Sequence, residues 1–179
     1  ADPPVYPAEV DTAISDEVLK RVTERLTGEA GYVYIGMDHF ARPDDELAVA
    51  QSRRTLQRNF QGYSTRGGSD IYGFGMSAIS QTDDAYWQNH KELARHREAV
   101  EGGRLPVSRG YRVTAEDQLR RAVIMEIMCN LGLDYASLSA RLGVPVAERF
   151  APEIAGLADM EADGLLRRTP AGIDISDLG

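Results

Sequence analysis

The sequence predicts an α/β region over residues 1–82 followed by a mostly helical region over residues 83–179. Three observations predict it. A helix-forming stretch runs directly into the apolar, β-branched and aromatic run Tyr32-Val33-Tyr34-Ile35-Gly36, which is half of an α/β repeat. Leu119, Val123, Ile127 and Leu131 form an i, i+4, i+8 row behind the helix-start signal Thr114-Ala115-Glu116-Asp117. The chain then ends in helix-forming segments and a hairpin.

Each element has its own local reason. Residues 1–14 are Pro-rich and read as extended, and the start at Ala1 in place of Met reads as a cut end. Ser15 caps a helix, with Asp16 and Glu17 on the positive end of its dipole. Val18, Leu19, Val22 and Leu26 fall on one face, and Gly28 suits its left-handed cap. The strand at 32–36 leads into Met37-Asp38-His39-Phe40-Ala41-Arg42-Pro43, polar residues at a strand end. Asp44 to Arg58 reads as a helix with an acidic first turn. Asn59 to Thr65 is irregular, and Gly67-Gly68-Ser69-Asp70 is a loop. Ile71 to Ser80 reads as a strand whose glycines, Gly73 and Gly75, share one face and admit a ligand or another backbone.

Asp83 to Val100 reads as a polar helix anchored by Trp87, Leu93, Ala94 and Val100, ended by Gly102-Gly103. Leu105 to Val113 is extended. The long helix from Thr114 follows. Asp134 caps a shorter one (Tyr135, Leu138, Leu142) closed by Gly143. A last helix runs from Val146 to Asp163 with Phe150, Ile154, Leu157 and Ala158 inward, and Pro152 demands a kink or a fresh start. Leu165 to Ile175 is a hairpin around Thr169-Pro170-Ala171-Gly172.

Composition excludes several functions. The chain has 179 residues, 42% hydrophobic and 27% charged, with a formal net charge of −8. An acidic chain lacks the positive field that holds nucleic acid. Three helices and a hairpin is the order of a winged helix, yet from Val146 to Gly179 three basic residues face seven acidic ones. A packing module therefore fits better than a DNA reader. No apolar stretch approaches a membrane span of about 20 residues, no leader is visible, and the expected location is the cytoplasm. The single cysteine, Cys129, excludes an internal disulfide and any Cys-ligated zinc or iron–sulfur site built from this chain alone. Its apolar neighbours make it a buried small hydrophobe.

The candidate chemistry is sparse. Asp38, His39 and Arg42 are either a proton-handling or anion-orienting group or a loop held by a local ion pair. His90 and His96 are six apart, which does not place them on one helix face as metal ligands. Gly73-Phe74-Gly75-Met76-Ser77-Ala78 matches a dinucleotide fingerprint by letter, without the βαβ unit that gives the motif its meaning. Bare backbone there would suit a flat ligand such as adenine.

Three runs carry a more specific likeness: Tyr34-Ile35-Gly36-Met37-Asp38-His39-Phe40-Ala41-Arg42-Pro43-Asp44-Asp45-Glu46-Leu47-Ala48, Leu56-Gln57-Arg58-Asn59-Phe60-Gln61-Gly62-Tyr63-Ser64-Thr65, and Gly73 through Ser80. Together they resemble the oxygen-independent coproporphyrinogen III oxidases, radical S-adenosylmethionine enzymes of haem biosynthesis. The likeness runs through Asp134-Tyr135 and the helical end. It implies that residues 1–82 are the last part of an incomplete βα barrel and residues 83–179 a truncated helical, winged-helix-like C-terminal domain. It implies a parent enzyme that converts two propionates of coproporphyrinogen III to vinyl groups, giving protoporphyrinogen IX. The family uses a [4Fe–4S] cluster and a deoxyadenosyl radical from S-adenosylmethionine.

The CxxxCxxC cluster motif of that family is absent from this chain, so it offers no cluster ligands and is expected to be inactive alone. Its partner would be the remainder of its own polypeptide. Phe60 and Gln61 match the family's Phe-Gln pair on the S-adenosylmethionine or substrate side of the cavity. Ile79 matches an isoleucine that contacts S-adenosylmethionine, with Gly73 and Gly75 beside it. Phe60 and Ile79 are also consistent with core positions. His39 and Arg42 are candidates to face a propionate carboxylate. Two alternatives stay open: a fragment of a related haem chaperone, which shares a shorter Phe40-Ala41-Arg42-Pro43 likeness, and a winged-helix interaction module.

Overall fold

The structure is a computed structural model that describes residues 17–179. The expected extension over 1–14 and the Ser15 cap lie outside the described residues. The chain divides into two compact units, one ending at Leu56 and the other running from Gln57 to Gly179.

In the first unit, α1 occupies residues 17–24 and widens into a π-helical turn at Arg25–Glu29. Gly28 lies inside that turn, and Gly31 takes the left-handed conformation in its place, at φ +70°. The apolar face of α1 is exposed at Val18, Leu19 and Val22. β1 (Val33–Gly36) buries Ile35 completely.

The segment after β1 is not the loop that its polar residues suggest. It turns back at once as β2 (His39–Ala41), antiparallel to β1, with Gly36 opposite His39. Met37 takes a positive φ in the turn, and the Tyr34 hydroxyl donates to its carbonyl at 2.9 Å. α2 covers only Glu46–Ser52, shorter than the helix expected over 44–58. Asp45 caps it, accepting from the Leu47 amide at 2.9 Å. Gln51 donates from α2 to the Ile35 carbonyl at 2.7 Å and so ties the helix to β1.

The second unit begins with two strands, β3 (Gln57–Asn59), where the end of the helix expected over 44–58 gives way, and β4 (Gly62–Ser64), within the segment expected to be irregular. Phe60 and Gln61 are the two residues of their turn. Tyr63 donates to the Met128 carbonyl at 3.1 Å and anchors the hairpin on the long helix.

Next comes a three-stranded antiparallel sheet, ordered β5 (Ile79–Gln81), β6 (Ala85–Asn89), β7 (Val107–Arg112). Two expectations fail here. Residues 72–78 are a loop, so the strand expected over 71–80 is confined to its last part. The polar helix expected over 83–100 is a strand followed by a shorter helix, α3 (Leu93–Glu101). Leu93 and Val100 of α3 are exposed, and Ala99 is the side chain it buries.

The helical end follows its sequence signals closely. α4 (Ala115–Asn130) opens on a complete capping box between Thr114 and Asp117. α5 (Tyr135–Leu142) is capped by Asp134 and closed by Gly143 in the left-handed region. The last helical stretch breaks at Phe150 and again before Leu157 into α6 (Val146–Arg149), α7 (Ala151–Ala155) and α8 (Ala158–Ala162), with Pro152 in the first turn of α7. Ala158 is exposed rather than inward.

β9 (Leu166–Arg168) and β10 (Gly172–Ile175) form the expected hairpin, and β10 also pairs with a third strand, β8 (Gly132–Asp134). Gly172 is required there, because a Cβ would collide with the Leu133 carbonyl. Leu133, Tyr135, Leu138, Val146, Phe150, Leu166 and Ile173 form one core, against which Leu119, Val123 and Ile127 of α4 pack. Cys129 is 1% exposed, and burial pushes its thiol up from the ordinary range.

Candidate functional site

The β5–β6–β7 sheet organises the candidate residues of the second unit. Residues directly opposite in antiparallel strands share a face, and the face alternates along each strand. Ile79 pairs with Gln88, Gln88 with Arg109, and Tyr86 with Tyr111. Ile79, Tyr86, Gln88, Arg109 and Tyr111 therefore lie on one face. Phe60 comes to the same face from the β3–β4 turn, its ring edge-on to Tyr86 at 5.5 Å between centroids. Tyr86 is itself held by Arg121, which donates to its hydroxyl at 3.0 Å. Phe60 is 57% exposed, so its ring is not a core residue of this chain. Gln61 beside it has its amide N–H held by the Asn59 side chain at 2.8 Å and its own side chain exposed.

The glycine segment sits next to Ile79 for a reason other than an open strand face. A Cβ on Gly73 would stand 2.7 Å from the Ile79 carbonyl oxygen, so the bare position admits the chain's own backbone rather than a ligand. Gly73 donates its amide to the Ser80 hydroxyl at 2.9 Å. Asn89 donates its side-chain amide to the Gly75 carbonyl at 2.9 Å and to the Gly73 carbonyl at 3.5 Å. Ser80 and Asn89 are both buried. Gly75 is different: its φ is +92° and the space where a Cβ would go is open. The loop is thus fixed by two buried polar side chains, while Tyr72, Phe74 and Met76 remain exposed.

Sequence reasoning missed Ser80 and Asn89. A polar residue after an aromatic pair looks like the end of a buried segment. Only the pairing of β6 on both edges shows that Asn89 is enclosed, and an enclosed amide must find partners.

His39 and Arg42 belong to the first unit. His39 meets Asp38 at 2.8 Å, and Arg42 pairs with Asp44 at 3.2 Å with both side chains mostly in solvent. Both are local pairs within the segment. His90 lies ahead of α3 and His96 within it. No group of three metal-ligating side chains is found among the described residues. No described helix is long and apolar enough to cross a membrane.

Residues 113–179 match the family described as the HemN C-terminal domain. The chain is 45% identical over 163 residues to the oxygen-independent coproporphyrinogen III oxidase of Pseudomonas aeruginosa, covering 91% of this chain and 35% of that protein. It is 44% identical over 179 residues to the protein of the same name from Thermostichus vulcanus, covering 99% of this chain and 54% of that one. Among solved structures it is similar to the coproporphyrinogen III oxidase of Escherichia coli, described as a radical SAM enzyme. That match has 43% identity and a TM-score of 0.80 and spans 88% of this chain and 36% of the other. The chain therefore spans between about a third and about half of the length of these relatives. With these matches across both the sheet and the helical end, residues 113–179 carry the HemN C-terminal domain, and the chain as a whole is similar to a C-terminal part of the oxygen-independent coproporphyrinogen III oxidases.

Proposed function

We propose that this chain supplies one wall of the cofactor and substrate cavity of a cytoplasmic enzyme that converts propionate side chains of coproporphyrinogen III to vinyl groups. The observation that carries the reading is the meeting of Phe60 and Ile79 on one sheet face, since the two lie 19 positions apart and are joined only through β6. An exposed ring and an aliphatic side chain beside the free amide of Gln61 suit a ligand with an apolar body and polar groups, and S-adenosylmethionine is such a ligand. When bound, it supplies the radical that starts the reaction. In this chain Ile79 and Phe60 would pack against it, and Gln61 would hydrogen-bond it. Gly75 would leave room at the edge, and Gly73 would act indirectly by letting the loop close on Ile79. His39 and Arg42 remain candidates for the propionate carboxylates, by exchanging Asp38 and Asp44 for the substrate.

A [4Fe–4S] cluster does not fit this chain. Its single thiol is buried and raised in pKa, the opposite of a metal-binding thiolate. The cluster, and with it the radical step, would lie in the remainder of the polypeptide, and the chain alone would be inactive.

The helical end packs rather than reads DNA, in this proposal. Its three arginines after Val146 are each engaged by a carboxylate: Arg149 by Glu116, Arg167 by Asp174 and Arg168 by Glu161. None is left to neutralise a phosphate.

The test is to place Ile79→Ala and Gln61→Ala in the complete protein. Weaker S-adenosylmethionine binding and at least tenfold slower loss of coproporphyrinogen III are expected, while the 179-residue chain by itself should cleave no S-adenosylmethionine. Full activity in both variants would refute the assignment.

A further inference from the structure

The end of β6, the start of α3 and the middle of β7 line an open cleft of about 260 Å³ that none of the preceding assignments uses. Its lining is unusual for this chain. Lys91, Arg95 and Arg109 are set around it against one carboxylate, Glu92. The local balance is positive in a protein whose formal net charge is −8.

The charges are also unequally satisfied. Arg95 pairs with Glu92 at 3.0 Å. Arg109 donates to the side-chain oxygen of Gln88 at 2.7 and 3.0 Å, a neutral partner that orients the guanidinium without cancelling its charge. Among the described residues Lys91 forms no ion pair. The Ser108 hydroxyl and His90 add further hydrogen-bonding groups.

The position is built rather than accidental. The β6–β7 register shifts between Gln88 and Asn89, and such irregularities re-aim side chains beside sites. His90 is fixed on both sides: its amide donates to the Pro106 carbonyl at 2.8 Å, and its carbonyl accepts from the Ser77 amide at 2.9 Å. Gln88 donates to the Ser77 carbonyl at 3.0 Å, so one side chain joins Arg109 to the loop ahead of Ile79.

We infer that this cleft is a carboxylate-binding site that receives one propionate arm of the tetrapyrrole. Lys91 supplies the uncompensated charge, and Arg109, held along its Nε–Nη2 edge by Gln88, offers its terminal Nη1–Nη2 edge to the carboxylate. The volume is below the roughly 300–1,000 Å³ that encloses a whole drug-sized ligand, so it admits an arm and not the macrocycle. Arg109 and Ile79 both flank Gln88 on the same sheet face, so an arm held here is tethered beside the proposed cofactor residues. The source of the carboxylate rests on the function proposed above. The existence of the anion site does not.

Two arms of one experiment test it. The isotopically labelled 179-residue chain is titrated with glutarate, glutarate dimethyl ester and inorganic phosphate, with backbone amides followed by NMR. Glutarate should shift the amides of His90 to Arg95, Ser108 and Arg109, and the ester should not. Lys91→Ala and Arg109→Gln should each weaken glutarate at least fivefold. Absence of these shifts, equal shifts by the ester, or phosphate binding tighter than glutarate at the same amides would overturn the carboxylate site. In the complete protein, Lys91→Ala should raise the KM for coproporphyrinogen III about fivefold with kcat within twofold. An unchanged KM in a variant with a native NMR spectrum would overturn the propionate assignment. Failure of the unsubstituted complete protein to consume coproporphyrinogen III would instead overturn the proposed function and with it the source of the arm, and the glutarate titration would still judge the site.

Discussion

Residues 113–179 gather seven buried apolar or aromatic side chains into one cluster. Residues 57–112 bury three side chains, of which two are the polar Ser80 and Asn89, and leave Phe60, Tyr72, Phe74, Met76 and Leu105 at the surface. Both segments lie in the same compact unit, but they are held differently. In the helical end, removal of apolar surface from water at about 25 cal/mol per Å² sets the geometry. In the sheet segment, hydrogen bonds to particular carbonyls set it. A hydrogen bond contributes only about 1 kcal/mol net, but breaking one inside the protein leaves an unsatisfied group. The sheet segment can therefore keep apolar side chains exposed and still have a defined loop.

Leu138→Ala attacks the apolar side of this contrast. Leu138 is 2% exposed within the cluster, and the substitution should destabilise residues 113–179 by about 2–5 kcal/mol, read from chemical denaturation. A cost under 1 kcal/mol would mean that the cluster does not govern this end.

Asn89→Ala attacks the polar side. It removes the donors to Gly73 and Gly75 and should cost about 1–3 kcal/mol. Amide hydrogen exchange across 73–78 should accelerate, with protection of α4 and α5 unchanged. Slow exchange in the variant would show that the loop needs no tether.

The smallest effect is at the border of the two segments. Thr114→Ala removes the cap of α4 and should cost about 1 kcal/mol in thermal denaturation. Asp117 of the same box is held below the usual carboxylate range by hydrogen bonds from the Thr114 side chain and backbone and then from the Tyr111 hydroxyl. Its depressed folded pKa makes its contribution complete above the unfolded value of about 3.9 and lost as pH falls through the folded value. Acid sensitivity in that window should shrink in Asp117→Asn.

The same contrast explains what could be read in advance. Caps and breaks depend on neighbours in sequence, so Thr114 with Asp117, Asp134, Gly143 and Pro152 were all legible. β6 was not. Asp83 and Asp84 ahead of it and His90, Lys91 and Glu92 after it imitate an acidic helix start and a solvated helix face, and strand pairing on both edges overrides that local preference. The β3–β4 hairpin was hidden for the same reason, since Arg58, Asn59 and Gln61 carry no apolar alternation. Among candidate site residues, Phe60, Gln61 and Ile79 were found through likeness to a family. Asn89, Ser80 and Arg109 had no signal of their own.

The sequence by itself determined the likeness to a family, the charge that disfavours nucleic acid, the shortage of thiolates, the helix starts at Thr114 and Asp134 and the helix stop at Gly143, because each depends on residue identity or on contacts within a few positions. Tertiary structure alone decided that Phe60 and Ile79 share a face, that Gly73 makes room for backbone and that basic side chains line one cleft. These follow from strand register, and register is set by partners distant in the chain.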